Sequence, residues 1–382
     1  MNRLILETGT RIRQAGLSLV EMMVALVIGS VLIAGAFGVY LSSKQSYGDN
    51  EAVSRLQETA RFAMSVIEAD VREANFWGLL KGGQFVTNGI TVDFPQNVGP
   101  PPAPFPNSAA LQVCGANFAV DTTAPVQGDN NRYRLSLSNT RQPACDTLAD
   151  FSSGNAWATT PVTTADTLTV RRASAIRETG PFPEAAGMLR VCSGRHAGWL
   201  ITDGGAGCNL NPFPLQSVNN LVVNAYYVDQ NSQQQARYPS LHRKMLVAVG
   251  GVPQFRDQEV IAGVEDLQVQ FGIEPLPAAG TAWTGVAQSY VDPEAVPAGA
   301  QVVAVRIWLL VRADAGEANF TDNRLYRYGD RLAGATGDLN VAANAGLAYQ
   351  PSLSADASFN GPRHTRHLLI SRTIQIRNRN GP

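Results

Sequence analysis

One apolar segment constrains this chain more than any other feature. Residues 17–41 carry one charged side chain, that of Glu21, and the stretch before them contains Arg3, Arg11 and Arg13. As a helix the segment would be about 37 Å long, enough to cross a hydrocarbon core of about 30 Å with its basic flank in the cytoplasm. A carboxylate in such a segment costs several kcal/mol unless it finds a partner. Glu21 therefore requires a functional explanation.

Three interpretations of this segment compete. An ordinary secretory signal has an apolar region of about 7–15 residues, which is too short, although Ala34-Gly35-Ala36 offers a small-residue cleavage site. A plain membrane anchor explains the length, but it explains neither Glu21 nor the junction between Gly16 and Leu17. A basic leader that ends in glycine, before a long apolar run with a carboxylate at its fifth position, resembles the prepilin signature. We favour this third interpretation.

The prepilin resemblance implies that residues 1–16 are a leader peptide, that a prepilin peptidase cleaves between Gly16 and Leu17, and that the new N-terminus is methylated. The family usually has Phe at this position, so Leu17 is a conservative departure. Cleavage would leave the new α-amino group about one helical turn from Glu21, where the two charges partly neutralise each other in the bilayer. In a filament, the resemblance implies that Glu21 meets the amine of a neighbouring subunit.

The helix is predicted to continue well beyond the apolar segment, because no proline occurs before Pro95. Apolar residues at three- and four-residue spacings form one stripe, which comprises Val53, Leu56, Ala60, Ala63, Met64, Ile67 and Val71. Charged residues such as Glu68 and Asp70 are assigned to the solvated faces. We therefore predict one helix over about residues 17–75. Residues 17–41 of this helix are predicted to lie in the membrane or in the filament core. Residues 42–80 are predicted to form an amphipathic continuation that packs on a globular head.

Residues 81–382 are predicted to form an exported, loop-rich β head. The formal net charge of −1 indicates neither nucleic-acid binding nor a polybasic membrane surface. All four cysteines lie in this part, and an even number in an exported domain indicates two disulfides. Of the three possible connectivities we prefer Cys114–Cys145 and Cys192–Cys208, because each pair brackets a loop-rich stretch. No Cys-x-x-Cys pair supports a metal site instead.

Seven segments of the head have the alternating or short apolar pattern of strands. They are Asp166–Arg171, Met188–Cys192, Leu221–Val228, Lys244–Val249, Leu267–Ile273, Val302–Val311 and Leu368–Ile376. In the fifth, apolar residues alternate with Gln268, Gln270 and Gly272, which predicts one buried and one wet face. The predicted loops or insertions are 95–106, 280–299 and 314–362. The predicted fold class is α+β and pilin-like, with one long N-terminal helix packed on an antiparallel sheet.

Further stretches of the chain are similar to the PilW family of type IV pilus minor pilins. The first runs from Ser54 to Gly78, the second is Val260–Gly272, and the third is Val302–Arg312, echoed by the closing strand near the C-terminus. The first pattern recurs in many pilin-like proteins, so the second and third are more specific. Residues 81–253 carry no clear match to this family.

The PilW resemblance implies a minor pilin that primes type IV pilus assembly, sits at or near the pilus tip, and supports twitching motility and adhesion. The implied partners are other minor pilins, the major pilin, the prepilin peptidase and a large tip adhesin. The implied location is the inner membrane, with the head in the periplasm, and then the filament at the cell surface. We expect neither a cofactor nor a nucleic-acid partner.

Two other classes of protein remain as alternatives. A large GspJ-like pseudopilin of a type II secretion system shares the leader, Glu21 and an α+β body, although such pseudopilins are generally shorter. A membrane-anchored enzyme is the other alternative, but the four histidines are scattered, and the arginines around His364 and His367 indicate a solvated strand end. Residues 129–131 (Asp-Asn-Asn) have oxygen donors of the kind that bind calcium, yet they are more typical of a turn. We expect neither enzymatic activity nor a metal.

Overall fold

The chain folds as an α+β protein with one long N-terminal helix, as predicted. The computed structural model describes residues 18–83, 86–87, 120–131, 161–178, 188–195, 198–201, 208, 215–249, 252–278, 282–317 and 320–378. They divide into two compact units, Met1–Ala52 and Val53–Pro382. Helix α1 (Leu19–Glu73) contributes to both units, and all described strands belong to the second.

Helix α1 runs for 55 residues, within two residues of the predicted ends. Its second part packs on the head through the predicted apolar stripe, of which Leu56, Ala60, Ala63, Met64, Ile67 and Val71 are buried. These side chains share one hydrophobic core with apolar residues of the strands described below. Burying apolar surface stabilises a fold by about 25 cal/mol for each Å². This contact is therefore a main source of stability for the second part of the helix.

In the part of the chain that the structure describes, the larger sheet has eight strands. They are β1 (Val86–Thr87), β2 (Val126–Asp129), β3 (Thr167–Glu178), β4 (Arg190–Ser193), β5 (Gly198–Ile201), β6 (Ser217–Asp229), β7 (Ser240–Val249) and β8 (Val252–Ala262). Their order is β1-β5-β4-β6-β3-β2, while β7 pairs with both β6 and β8. The neighbours are antiparallel except for the short β1–β5 pair.

Among the described residues, a second antiparallel sheet of four strands packs against the second part of α1. Its order is β10-β9-β11-β14, with β9 (Val264–Glu274), β10 (Ser289–Val291), β11 (Gln301–Arg312) and β14 (His367–Gln375). The segment between β11 and β14 adds a short parallel pair, β12 (Ala333–Thr336) and β13 (Leu347–Tyr349). All seven predicted strand segments therefore lie in or overlap observed strands. The sequence pattern missed β8, whose Arg256, Asp257 and Gln258 break the apolar pattern.

The end of α1 is fixed by a tight turn into the head. Asn75 has a left-handed backbone (φ 62°), as is common just after a helix, and its Oδ1 accepts a hydrogen bond from Trp77 Nε1 at 2.7 Å. Gly78 follows with φ 71°, and a Cβ there would lie 2.3 Å from Ser193 Oγ. Position 78 therefore requires glycine, both for its backbone conformation and for its close approach to β4.

The prediction of a wet face on β9 is wrong. Gln268 is 1% exposed, Gln270 is half-buried and Gly272 is buried. Gly329, in the segment between β11 and β12, packs on the Gln268 side chain, whose Nε2 donates to the Thr164 carbonyl at 3.3 Å. The outer face of the sheet is thus covered by the segment that the sequence assigns to an insertion.

Candidate functional site

The residue predicted to govern assembly, Glu21, lies in the first turn of α1, where it forms a reciprocal capping box with Ser18. The Ser18 amide donates to Glu21 Oε2 at 3.1 Å, and the Glu21 amide donates to Ser18 Oγ at 3.1 Å. The box satisfies two of the backbone N–H groups that every helix start leaves unpaired, and the helix dipole also favours a carboxylate at this end. The Ser-x-x-Glu spacing is the sequence signal for this cap.

The following turns of α1 present apolar side chains on every face. The exposed ones are Leu19, Val20, Met22, Met23, Val24, Leu26, Val27, Ile28, Val31, Leu32, Ile33, Phe37, Val39, Tyr40 and Leu41. By length and composition α1 is able to cross a membrane. A Cβ added at Gly29, Gly35 or Gly38 would meet nothing within 4 Å, so the helix backbone is open at these positions. Small residues of this kind allow close helix–helix approach in lipid.

Two buried carboxylates, Glu68 and Asp70, attach the second part of α1 to the head, and their assignment to solvated faces is wrong. Asp70 is 6% exposed and accepts hydrogen bonds from Arg172 Nη2 at 3.0 Å, Asn224 Nδ2 at 2.6 Å and Tyr226 Oη at 2.5 Å. Burial, with Asp70 next in effect, raises the pKa of Tyr226 and keeps this donor protonated. The partners come from β3 and β6, about 100 and 150 residues away, so helical periodicity alone does not reveal them.

Glu68 forms the second of these attachments. It pairs with Arg372 on β14 and with Arg72 one helical turn further along α1. Near the end of the helix, the Arg377 amide donates to the Arg72 carbonyl at 3.2 Å, which holds the end of the last strand beside the last turn of α1. We call Glu68, Asp70 and their partners the helix–head contacts.

His367 is the third correction, because it lies inside the head and not at a solvated strand end. It is 2% exposed, with Nε2 2.7 Å from Glu265 Oε2 and Nδ1 3.1 Å from Asp322 Oδ2. Burial opposes its protonation, but the two carboxylates outweigh that effect and raise its pKa above the ordinary value. Burial also acts against ionised Glu265, yet His367 and Arg312 lower the pKa of that carboxyl overall. The four residues form a buried ionic network.

The remaining predicted site residues divide into two groups. Gly16, Leu17, Cys114 and Cys145 lie outside the described residues, so cleavage, methylation and the first disulfide stay predictions. Cys192 in β4 and Cys208 form the predicted second disulfide, with Cα atoms 5.5 Å apart. In the described part of the chain, no group of three or more His, Cys, Asp and Glu side chains is arranged to hold a metal.

Comparison with protein families matches both ends of the chain. Residues 225–378, about two fifths of the chain, match the family described as type IV pilus-assembly protein W, PilW. This part of the chain is similar to PilW. This region includes β9, β11 and β14, the strands that share a core with α1, and it confirms the resemblance over Val260–Gly272 and Val302–Arg312. It also includes residues 225–253, where the sequence showed no clear match, and it does not reach the stretch from Ser54 to Gly78. Residues 11–37 match the prokaryotic N-terminal methylation motif, which spans Glu21 and most of the apolar segment.

Comparisons with individual proteins add little to the PilW match. None of the curated proteins matches the chain. Among solved structures, a type IV-like pilin from Thermus thermophilus is similar at 14% identity and a TM-score of 0.23, over 56% of this chain and 79% of that one. At this TM-score the likeness does not bear on the fold or function of the chain.

Proposed function

We propose that this chain is a minor pilin that primes type IV pilus assembly and sits at or near the tip of the filament. The observation that carries the proposal is the methylation motif over residues 11–37, on the exposed apolar start of α1, in a chain that is also similar to PilW over residues 225–378. A helix that is apolar on all faces is stable in lipid or in the core of a filament, and the proposed function supplies both environments.

The proposed cycle begins in the inner membrane, with the head in the periplasm. The prepilin peptidase cleaves after Gly16, and Leu17 becomes the methylated N-terminus. The helix then packs with those of other minor pilins and of the major pilin, and Glu21 exchanges its capping partner for the amine of a neighbouring subunit. Twitching motility, adhesion and contact with a large tip adhesin follow from this position in the filament.

A GspJ-like pseudopilin of a type II secretion system is the second candidate, because the same helix would serve a periplasmic piston. Deletion of the gene separates the two functions when surface pili and export of secreted enzymes are both scored. We expect loss of pili and of twitching motility with normal export. Lost export with intact pili would instead assign the chain to secretion.

The role of Glu21 in assembly is tested by two variants. They separate the charge of its carboxylate from the capping box that it forms with Ser18. Glu21→Gln keeps a side chain able to form the capping box but removes the charge. Ser18→Ala removes the hydroxyl of the cap and keeps the carboxylate. We expect Glu21→Gln to insert into the membrane normally and to co-purify several-fold less with other pilins. Ser18→Ala should leave co-purification close to that of the native chain. A larger loss of co-purification in Ser18→Ala than in Glu21→Gln would instead assign Glu21 only to the capping of the helix start.

Processing is tested by mass spectrometry of the membrane-extracted protein. We expect an N-terminal peptide that begins at Leu17 with one added methyl group. Gly16→Val should leave the uncleaved precursor in the inner membrane, because the peptidase would meet a branched side chain at its cleavage site. A mature start near Phe37 would contradict the prepilin interpretation.

A further inference from the structure

A cavity of about 450 Å³ opens into the head between the larger sheet and the segment that links β11 to β14. One wall is the turn between β6 and β7, and the opposite wall is formed by residues 337–340 and 354–357. Glu265 at the start of β9 and Arg312 at the end of β11 are buried parts of its lining. The volume lies within the range of small-molecule sites, about 300–1,000 Å³.

Arg312 contributes a buried N–H group that has no partner among the described residues. The side chain is 3% exposed, and its Nε makes no hydrogen bond. Its other two nitrogens are used, because Nη1 lies 3.3 Å from Glu265 Oε1 and Nη2 donates to the Arg237 carbonyl at 2.7 Å. A buried donor without a partner is costly, and native proteins keep such atoms rare. The unpaired Nε therefore indicates an acceptor that a ligand supplies.

Arg237 is held in place by its backbone, while its guanidinium stays uncommitted in the lining of the cavity. Its amide donates to Asn231 Oδ1 at 2.8 Å, and its carbonyl accepts the bond from Arg312. Its φ of 60° is left-handed, a conformation that is rare for residues other than glycine and that occurs often at ligand-binding sites. The exposed guanidinium forms no hydrogen bond or ion pair with the described residues. It is a second donor available to a ligand.

The carboxylate of Asp356 also lines the cavity, within electrostatic reach of both arginines. Its Oδ1 accepts a hydrogen bond from the Ser358 amide at 3.0 Å. Hydrogen bonds from Ser358, helped by the charges of Arg237 and Arg312, lower the pKa of Asp356 below its ordinary value. An ionised carboxylate therefore lies near the two guanidinium groups. It would repel a ligand carboxylate at the arginines, so the cavity does not favour an anion.

We propose that this cavity binds a neutral saccharide, with Arg312, Arg237 and Asp356 as its polar contacts. A hydroxyl group donates one hydrogen bond and accepts others, so it can join a guanidinium to a carboxylate. Neighbouring hydroxyls of a sugar ring repeat this pattern, and one of them supplies the acceptor for Arg312 Nε. The C–H groups of the ring match the apolar part of the lining, which includes Val162 and Leu339.

This inference rests on the proposed function, because a position at or near the pilus tip brings the head to saccharides outside the cell. All residues that line the cavity belong to the second compact unit, and none belongs to α1. Binding and assembly can therefore fail separately. Deletion of the gene tests assembly, whereas binding by the purified chain tests the cavity.

The test uses the full chain, purified in a polyoxyethylene detergent because that headgroup contains no sugar. Isothermal titration calorimetry measures the binding of D-glucose, D-galactose, D-mannose and N-acetyl-D-glucosamine, with sodium acetate and glycine as charged probes. We expect at least one of these sugars to bind at one site per chain with a Kd of about 1 mM or lower. We expect neither charged probe to bind. Binding by none of the sugars, or by acetate or glycine instead, would overturn the proposal.

Two variants assign the binding to this cavity. Asp356→Asn removes the charge of the acceptor, and Arg237→Asn removes the exposed donor while tolerating the left-handed backbone. Each should weaken sugar binding by about fivefold or more.

Asp121→Asn is the matched control. Asp121 is a half-buried aspartate outside the cavity, and its Oδ1 likewise accepts a hydrogen bond from the amide two residues further along, that of Thr123, at 3.0 Å. This variant should bind sugar like the native chain. Native affinity in both Asp356→Asn and Arg237→Asn would contradict the assignment of the sugar to this cavity.

Discussion

At the scale of single residues, the interior of the head depends on buried charges that the sequence does not mark. His367, Asp70 and Glu68 each resemble ordinary surface residues when only their neighbours in the sequence are considered. Their partners are supplied by strands and loops between about 45 and 300 residues away. Removal of one partner leaves the other charge buried and uncompensated, which costs more than the pair contributes. These residues are therefore sensitive positions for substitution.

The raised pKa of His367 predicts a loss of stability at alkaline pH. Its protonation is favoured in the folded state, so the stabilisation is complete below the unfolded pKa of about 6.5. It is lost as pH rises through the higher pKa of the folded protein. Urea unfolding of the full chain should give a lower midpoint at pH 9 than at pH 6.

Two variants check this assignment. His367→Gln should be less stable than the native chain at pH 6. Its urea midpoint should also change much less between pH 6 and pH 9 than that of the native chain. His364→Gln should keep the native difference, because His364 contacts a backbone carbonyl, that of Phe320, and not the carboxylates. An unchanged pH response in His367→Gln would contradict the role of this side chain.

Asp70 should contribute more to stability than any exposed acid of α1. Asp70→Ala removes one carboxylate and leaves Arg172, Asn224 and Tyr226 without their common acceptor. We expect the free energy of unfolding to fall by about 3 kcal/mol. Glu58→Ala, on an exposed face of the same helix, should change it by less than about 0.5 kcal/mol. Equal effects in urea unfolding would show that the helix–head contacts are not decisive.

At the scale of secondary structure, predictability depended on how local the signal is. Helix α1 was predictable because its apolar stripe repeats at helical spacing over many turns. The central strands β9 and β11 were predictable from dense apolar residues. By contrast, β8 pairs with β7 through residues that are largely polar, and the burial of Gln268 depends on a segment that follows it by about 60 residues. Neither property is visible in a short window of sequence.

The Cys192–Cys208 disulfide should stabilise the edge of the larger sheet. It closes a loop of 16 residues between β4 and the chain after β5. A loop of that length contributes about 3 kcal/mol on the chain-entropy account. The double variant Cys192→Ala/Cys208→Ala should therefore unfold at a clearly lower urea concentration than the native chain. A native midpoint in this variant would mean that sheet pairing alone holds the region.

At the scale of the whole molecule, the sequence predicted the architecture and the assembly signature better than the packing. The membrane-length helix, the α+β class, the Cys192–Cys208 bond and the resemblance to PilW were all available from local patterns. The helix–head contacts and the ionic network at His367 were not, because each depends on which distant strands meet.

The contact between α1 and β14 also has a consequence for biosynthesis. Arg372 pairs with Glu68 across 304 positions of the chain. At about 5–20 residues per second, a ribosome needs roughly 15–60 seconds to make the intervening chain. During that interval the apolar stripe of the helix has been synthesised but its last partner strand has not. The membrane surface or a chaperone must therefore cover the apolar stripe of the nascent chain until translation has passed residue 378.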